Sequence, residues 1–528
     1  MAKLVTLLRE GRKSDAWLKY CGFIDLSLGD FMGVQERLLA EQLELLAACP
    51  LGRRLLGAQA PPKVADFRRA VPLTRYEDYL PDLEEKREDV LPARPRCWVC
   101  TSGKAGEYER KWAPYPPAWF ETHTKNFLAA VIFSLTNSKG DFWLRENAHF
   151  LYAMAPPPYL TGMVPYGLKD EFPFEYLPPS AQAERMSFEE QNAAGFRLGL
   201  DRGIDLFFGL SSVLVRIGER FEGGEGLAGS SRRLGAAAGL RLARGLLRSR
   251  LRKRPMLPRD VWTLKGIICA GTDTTFYKER IAHYWGRKPL EIYGGTEIGI
   301  AATQTWDYEG MVLFPDANFW EFIPEEEHVR SLADPGYEPA TVLLPDLEPG
   351  RRYEVVVTNL RGGVFVRYRV GDMIKALSRR NERLGIDLPQ IVYEDRVEDF
   401  LDLASFTRIT ERTVWEALRQ AGVAQGNWLA RKVYAGNHPV VELYLELPGE
   451  VPAPEISARI HTALRAVDSD FRDLEDMLGY HALRVVPLPV GNLSRVREKE
   501  AHASRLHPPA AVLEQIAAAQ ENGPAREV

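Results

Sequence analysis

Between about residue 96 and residue 395, short runs rich in β-branched and aromatic residues alternate with helical patterns, and this alternation limits the chain to few architectures. CWVCT, FLYAMA, LKGIICAG, LEIYGG, NFWEFIP and YEVVVTNL all read as strands bounded by Gly or Pro. Alternation of this kind predicts α/β layering. The flanks differ. Residues 1–95 read mostly as helix, with LSLGDFMGVQERLLAEQLELLAAC carrying apolar residues at helical spacing up to a break at Pro50. After about residue 400 the pattern simplifies to a helix around Glu411 to Gln420, the strand-like runs ARKVYAG and VVELYLEL, a longer helical region from Ala453 to Leu478, and a last strand, YHALRVVPL. The 528 residues are therefore expected to form a large domain over 1–398 and a small α+β domain over 399–528.

Charge and termini narrow the setting. Sixty-eight basic and 72 acidic residues leave a net charge of −4, which gives no global reason to bind nucleic acid or an anionic membrane. The first twenty residues carry charges where a signal peptide needs an apolar core. The longest apolar run, near Phe127 to Leu135, is far short of the roughly 20 residues that span a bilayer. Five scattered cysteines suit a reducing compartment, so a cytoplasmic location without transmembrane segments is expected. Cys97 and Cys100 form a CxxC, but no second ligand pair at suitable spacing accompanies it, and ordinary packing is the expectation.

One stretch departs from the balanced composition. RRLGAAAGLRLARGLLRSRLRKRPMLPR, residues 232–259, has ten basic residues and no acid. A solvated helix with a basic face is the plain reading, and a docking surface for an acidic carrier protein or anionic lipid is the sharper one. Leu240, Leu242, Leu246, Leu247 and Leu251 could form one apolar face.

Three segments carry the residue types that chemistry needs. Thr101-Ser102-Gly103-Lys104-Ala105-Gly106-Glu107, with Lys111 just beyond, follows a strand. Glycines there let backbone N–H groups approach an anion, and hydroxyls and lysines add donors and charge; a plain surface turn is the competing reading. Next, Gly271-Thr272-Asp273-Thr274 and Tyr293-Gly294-Gly295-Thr296-Glu297 each close a strand, where open α/β sheets place ligands. Tyr293 could stack on a base, and Thr296 and Glu297 could hold a phosphate and its Mg²⁺. Third, Arg367-Tyr368-Arg369-Val370-Gly371-Asp372 ends in a carboxylate able to accept both hydroxyls of a ribose, with the arginines as alternative structural partners.

In this order and at these separations, the segments resemble the adenylate-forming superfamily of acyl-CoA synthetases, luciferases and peptide-synthetase adenylation domains. The TSG-x-x-GE turn, YGGTE, NFWEFIP and TNLRGGVFVRYRVGDM are most similar to bacterial members of the auxin-responsive Gretchen Hagen (GH3) family of acyl-acid amido synthetases, over nearly the whole chain. The resemblance implies a large multi-sheet α/β N-terminal domain with a small mobile α+β cap. It implies an ATP- and Mg²⁺-dependent ligase that adenylates a small carboxylic acid and passes the acyl group to an amine such as an amino acid. The thiol of coenzyme A or of a carrier protein is the alternative acceptor, and a catalytically impaired nucleotide-binding module is the third reading.

By the same resemblance Thr101, Ser102, Gly103 and Gly106 wrap the ATP phosphates, with Lys111 nearby. Gly271 and Thr272 line the adenine pocket, Tyr293 packs on the base beside Gly294 and Gly295, and Thr296 contacts the α-phosphate. Glu297 holds Mg²⁺, Asp372 binds the ribose, and Arg396 with Glu398 or Asp399 marks the hinge. Phe127, Val131, Tyr159 and Leu210 are candidates for the acyl pocket. The turn departs from the family in having Lys104 in place of a hydroxyl. No lysine stands in register in Pro489–Arg495, where the wider superfamily has one, and Arg495 and Lys499 are the nearest cations. His149 and His283 have no partner spacing that suggests catalysis.

Overall fold

Local chemistry sets the helical N-terminal region. Ser27 caps the helix Leu28–Ala48 by accepting the Asp30 amide at 3.1 Å, and Pro50 occupies the first turn of the next helix, Pro50–Leu56. The break expected at Pro50 is thus the seam between two helices. The computed structural model describes residues 2–57, 63–101, 110–224, 235–271, 274–334, 336–396, 400–404, 406–423, 427–447 and 453–490, together with 493, 505, 506, 508, 512–514 and 516. Two compact units result: Met1–Thr101 with Lys111–Val397, and a second unit containing Glu398–Val528.

In the first unit, β1 (Cys97–Cys100) pairs antiparallel with β2 (Trp112–Tyr115), and β3 (Thr136–Ser138) with β4 (Asp141–Phe142). The main sheet is built from β5 (His149–Ala153), β6 (Glu175–Leu177), β7 (Leu206–Leu210), β8 (Gly266–Ala270), β9 (Leu290–Gly295), β10 (Gly299–Gln304), β11 (Met311–Leu313), β12 (Asn318–Pro324), β13 (Arg352–Asn359), β14 (Tyr368–Ser378) and β15 (Gln390–Arg396). Among the described residues it is eleven-stranded, in the order β12-β13-β14-β15-β11-β10-β9-β8-β7-β5-β6. Strands β6, β5, β7, β8 and β9 run parallel, and from β9 onward every neighbour is antiparallel. β9 is therefore where the sheet changes character.

The helix Pro117–Ser134 is buried on every side from Asn126 onward, with Phe127, Leu128, Val131 and Ile132 fully enclosed. A helical stretch as apolar as Phe127–Phe133 belongs inside a large core, and this helix packs against β8, β9 and β10. Phe127 stacks edge-on to Phe208 at 4.9 Å, and Phe127 and Val131 are both fully buried. Cys97 and Cys100 lie three apart on one strand, hence on opposite faces; all five cysteines are free, and burial raises the Cys97 thiol to about 11.

The basic stretch forms the helix Ala236–Leu251. Its packed stripe is Ala238, Gly245 and Ser249; at Gly245 the small residue allows Met256 and Val261 to approach closely, a Cβ there lying 3.1 Å from each. Leu240, Leu246, Leu247 and Leu251 are exposed, as a solvated helix or an open apolar face would have them.

The second unit holds its own core, including Leu401, Ile409, Trp428, Leu443, Ile460 and Leu474. β16 (Phe400–Leu403) pairs with β17 (Thr407–Thr410), and β18 (Trp428–Ala435), β19 (His438–Leu447) and β20 (Leu483–Pro489) form a second sheet. The helical region from Ala453 is two helices, Ala453–Val467 and Ser469–Leu478. Asp468 divides them, its carboxylate accepting the Phe471 amide at 2.7 Å as an N-cap.

Candidate functional site

The carboxyl ends of β7, β8 and β9, beside the change from parallel to antiparallel pairing, bring the three chemistry-bearing segments together. This is the crevice in which open α/β sheets bind ligands. Tyr293, near the end of β9, donates its phenol to Asp372 Oδ2 at 2.8 Å, and both side chains are buried. The second and third segments, 79 residues apart, thereby share one hydrogen bond. Tyr293 also lies 6.0 Å from Tyr393, the rings tilted by 38°. Gly371, directly before the carboxylate, has φ +78°, a conformation glycine adopts freely. Asp372 is in register with Arg396 across β14 and β15, so the backbone of the expected hinge begins next to the expected ribose ligand.

The first segment joins through Thr296, whose hydroxyl donates to the Cys100 carbonyl at 3.2 Å, while Tyr115 donates to the Thr296 carbonyl at 2.9 Å. Thr101 donates its amide to the Lys111 carbonyl at 3.0 Å and accepts the Lys111 amide on its hydroxyl at 3.1 Å. The Lys111 side chain is buried, its ammonium 5.6 Å from the centre of the Tyr76 ring. Ser102, Gly103, Lys104 and Gly106 lie outside the described residues, as do Thr272, Glu398, Asp399, Arg495 and Lys499. Gly271 follows β8 with φ +127° and accepts the Thr274 hydroxyl at 3.1 Å. Tyr159 bridges to Cys100, and Leu210 is buried at the end of β7.

Glu297 is only 4% exposed, yet among the described residues its carboxylate has no hydrogen-bond donor and no ion-pair partner. A carboxylate without a protein partner is a ready ligand for a cation that arrives with a bound phosphate. Its backbone is firmly held. Asn359 donates to the Glu297 carbonyl at 3.0 Å and to Asn318 Oδ1 at 2.8 Å, and Asn318 in turn donates to the Ile298 carbonyl at 2.8 Å. The donor set fits one Mg²⁺ bound by a single carboxylate plus substrate phosphate oxygens.

Sequence reasoning missed the groups that shape this turn. His123, in the buried helix, accepts the Ile300 amide on Nδ1 at 3.0 Å, and burial lowers its pKa to about 3, leaving it neutral. Its ring lies where a side chain on Gly299 would stand: a Cβ there would come within 2.0 Å of it, and Gly299 has φ +66°. The glycine one residue beyond YGGTEI was the available signal. Gly299→Ala should strain the turn by about 1–3 kcal/mol and lower nucleotide affinity. A thermal shift and an ATP titration of that variant check both effects.

The arginines of the third segment are structural. Arg367 pairs with Glu321 on β12 and Arg369 with Glu354 on β13, neither with Asp372. Burial works against the charge on Glu354, but hydrogen bonds from His328 and Arg369 hold its pKa below the ordinary carboxylate range.

Comparison with known proteins agrees with this architecture. The fold is that of adenylate-forming enzymes. An acyl acid amido synthetase, AtGH3.15, solved with 2,4-DB, aligns over 93% of this chain and 94% of its own, with a TM-score of 0.51 at 14% identity. A 2-hydroxyisobutyryl-CoA ligase, solved with 2-HIB-AMP and CoA, aligns over 94% and 93%, with a TM-score of 0.57 at 15% identity. Residues 22–156 match the GH3 family N-terminal domain and residues 311–391 the GH3 family central domain. A jasmonoyl–L-amino acid synthetase (JAR4) of Nicotiana attenuata is 31% identical over 137 residues, 22% of each chain. Another, GH3.5 of Oryza sativa subsp. japonica, is 36% identical over 110 residues, 19% of each. These matches span about a fifth of the curated relatives' length.

Proposed function

We propose that the chain is an ATP-dependent acyl-acid amido synthetase, which adenylates a small carboxylic acid and then transfers the acyl group to an amine such as an amino acid. The observation that carries this reading is the convergence of Thr101, Thr296–Glu297 and Tyr293–Asp372 at the ends of the parallel strands, with an unpaired buried carboxylate at its centre. The GH3 domain matches and the activities of the two curated relatives support it.

The chemistry follows from charge. A carboxylate is a poor electrophile, so its oxygen attacks the α-phosphate of ATP and pyrophosphate leaves, giving an acyl-adenylate. An amine then attacks the acyl carbon and AMP leaves with the bonding pair. Tyr293 fixes the Asp372 carboxylate for the ribose hydroxyls. Thr296 spends its hydroxyl proton on Cys100, so contact with the α-phosphate requires that hydroxyl to rotate. Glu297 would hold Mg²⁺, which when bound offsets charge on the phosphates. The large unit is proposed as the nucleotide- and acyl-binding domain, and the second unit as a cap that rotates between half-reactions about the segment after Arg396.

Two experiments test this reading. Asp372→Ala should weaken ATP binding by about tenfold to a hundredfold, the worth of a hydrogen bond to a charged group. Unchanged affinity would contradict the ribose role. Incubation of the protein with ATP, a panel of carboxylic acids, and either amino acids or coenzyme A, read by product mass, identifies the acceptor. Amides support the proposal, and thioesters alone would replace it with an acyl-CoA ligase.

A further inference from the structure

A cavity of about 280 Å³ lies at the amino ends of the parallel strands, the edge opposite the candidate active site. It includes His149 at the start of β5, Asp205 immediately before β7 and Lys265 immediately before β8. Strands β7 and β8 are five residues long, so at about 3.3 Å per residue the two edges stand roughly 15 Å apart. The all-basic helix Ala236–Leu251 contributes one wall.

The charges there do not balance. Arg145, Arg202, Arg241, Arg244, Arg248 and Lys265 line the cavity, against the carboxylates of Asp205 and Asp260. Both carboxylates are already engaged. Asp205 pairs with Arg145 at 3.1 Å and accepts the His149 amide at 3.0 Å. Asp260 takes Arg254 through two bonds of 2.8 and 2.9 Å, and the Leu257 amide at 2.9 Å. Arg202 pairs with Glu175. Arg241, Arg244, Arg248 and Lys265 have no ion-pair partner among the described residues, and the buried Nε of Arg241 has no hydrogen-bond acceptor. Gly203, at φ +94°, makes room for that guanidinium: a Cβ there would lie 3.1 Å from Arg241 Nη2.

Unpaired guanidinium groups around a concave space repel one another until an anion enters, and their planar forks match phosphate oxygens. Each phosphate monoester carries about −1.5 to −2, so two of them would neutralise the four unpaired cations. We propose that this cavity is a binding site for a small bisphosphorylated molecule, separate from the nucleotide site. Its concavity and size favour a small molecule over a carrier protein or a bilayer, either of which would need an open face. The site does not depend on the proposed ligase activity, and its test reads binding rather than turnover.

The test is isothermal titration of the full chain with fructose 1,6-bisphosphate, with fructose as the neutral control and phosphatidylserine vesicles in a parallel sedimentation arm. The bisphosphate should bind, fructose should not, and affinity should fall as salt rises. Arg241→Gln with Arg244→Gln should weaken binding at least tenfold, while Asp372→Ala leaves it intact. Arg244→Gln alone, at an exposed position, should show a smaller loss and guards against misfolding of the pair. Absence of binding at millimolar bisphosphate would overturn the proposal. So would binding that survives the arginine changes but is lost in Asp372→Ala. Arginine-dependent sedimentation with vesicles, without bisphosphate binding, would assign the helix to a membrane surface instead.

Discussion

Glu297→Gln should reduce acid-dependent ATP–pyrophosphate exchange by at least about a hundredfold while the protein stays folded, a loss typical of removing one electrostatic stabiliser from an active site. The substitution keeps the side chain's shape and removes only its charge. Asn359 and Asn318 hold the turn through the Glu297 and Ile298 carbonyls, which the change does not touch. Because the carboxylate has no partner among the described residues, neutralising it leaves no cation unpaired in the fold, and stability should hold or rise slightly. A fall in exchange with an unchanged unfolding midpoint is the expected pair of results. Near-normal exchange would remove Glu297 from the metal role.

Arg367→Met should produce the largest loss of stability, about 3–5 kcal/mol, because it strands a buried charge. Arg367 is 4% exposed and Glu321 is fully buried; the guanidinium reaches the carboxylate at 2.9 and 3.1 Å. It also donates to the carbonyls of Arg68 and Val71 at 2.7 and 2.5 Å, which ties the N-terminal helical region to the sheet. These bonds hold Arg367 at φ +43°, a conformation few side chains adopt. Arg68 remains 3.4 Å from Glu321 and offsets part of the loss. Replacing Glu321 with leucine in the same chain should recover most of it, since no buried charge then lacks a partner. Urea midpoints, with hydrogen exchange over β12 to β14, report the effect. A destabilisation below about 1 kcal/mol would show the pair to be dispensable.

Much of the main sheet was legible because its strands are short, rich in aromatic and β-branched residues, and closed by glycine. LEIYGG and YEVVVTNL became β9 and β13 with little displacement. The pairing of Tyr293 with Asp372 was not legible, since nothing local says that two residues 79 apart share a hydrogen bond. Nor could the sequence decide between a ligand and a structural role for Arg367 and Arg369. That depended on Glu321 and Glu354 facing them from neighbouring strands. His123 sat within an apolar helix and gave no sign of its contact with the turn after Glu297. In the basic helix the sequence left open which residues pack; close approach to its neighbours requires small residues, so Ala238, Gly245 and Ser249 are buried and Leu240, Leu246, Leu247 and Leu251 are not.

The most direct measurement is isotope exchange between pyrophosphate and ATP in the native protein, run with and without each member of a panel of small carboxylic acids. Adenylation as proposed requires exchange that appears only when a suitable acid is present and disappears in Glu297→Gln. ATP binding without exchange for any acid would contradict the ligase reading and leave a nucleotide-binding module in its place.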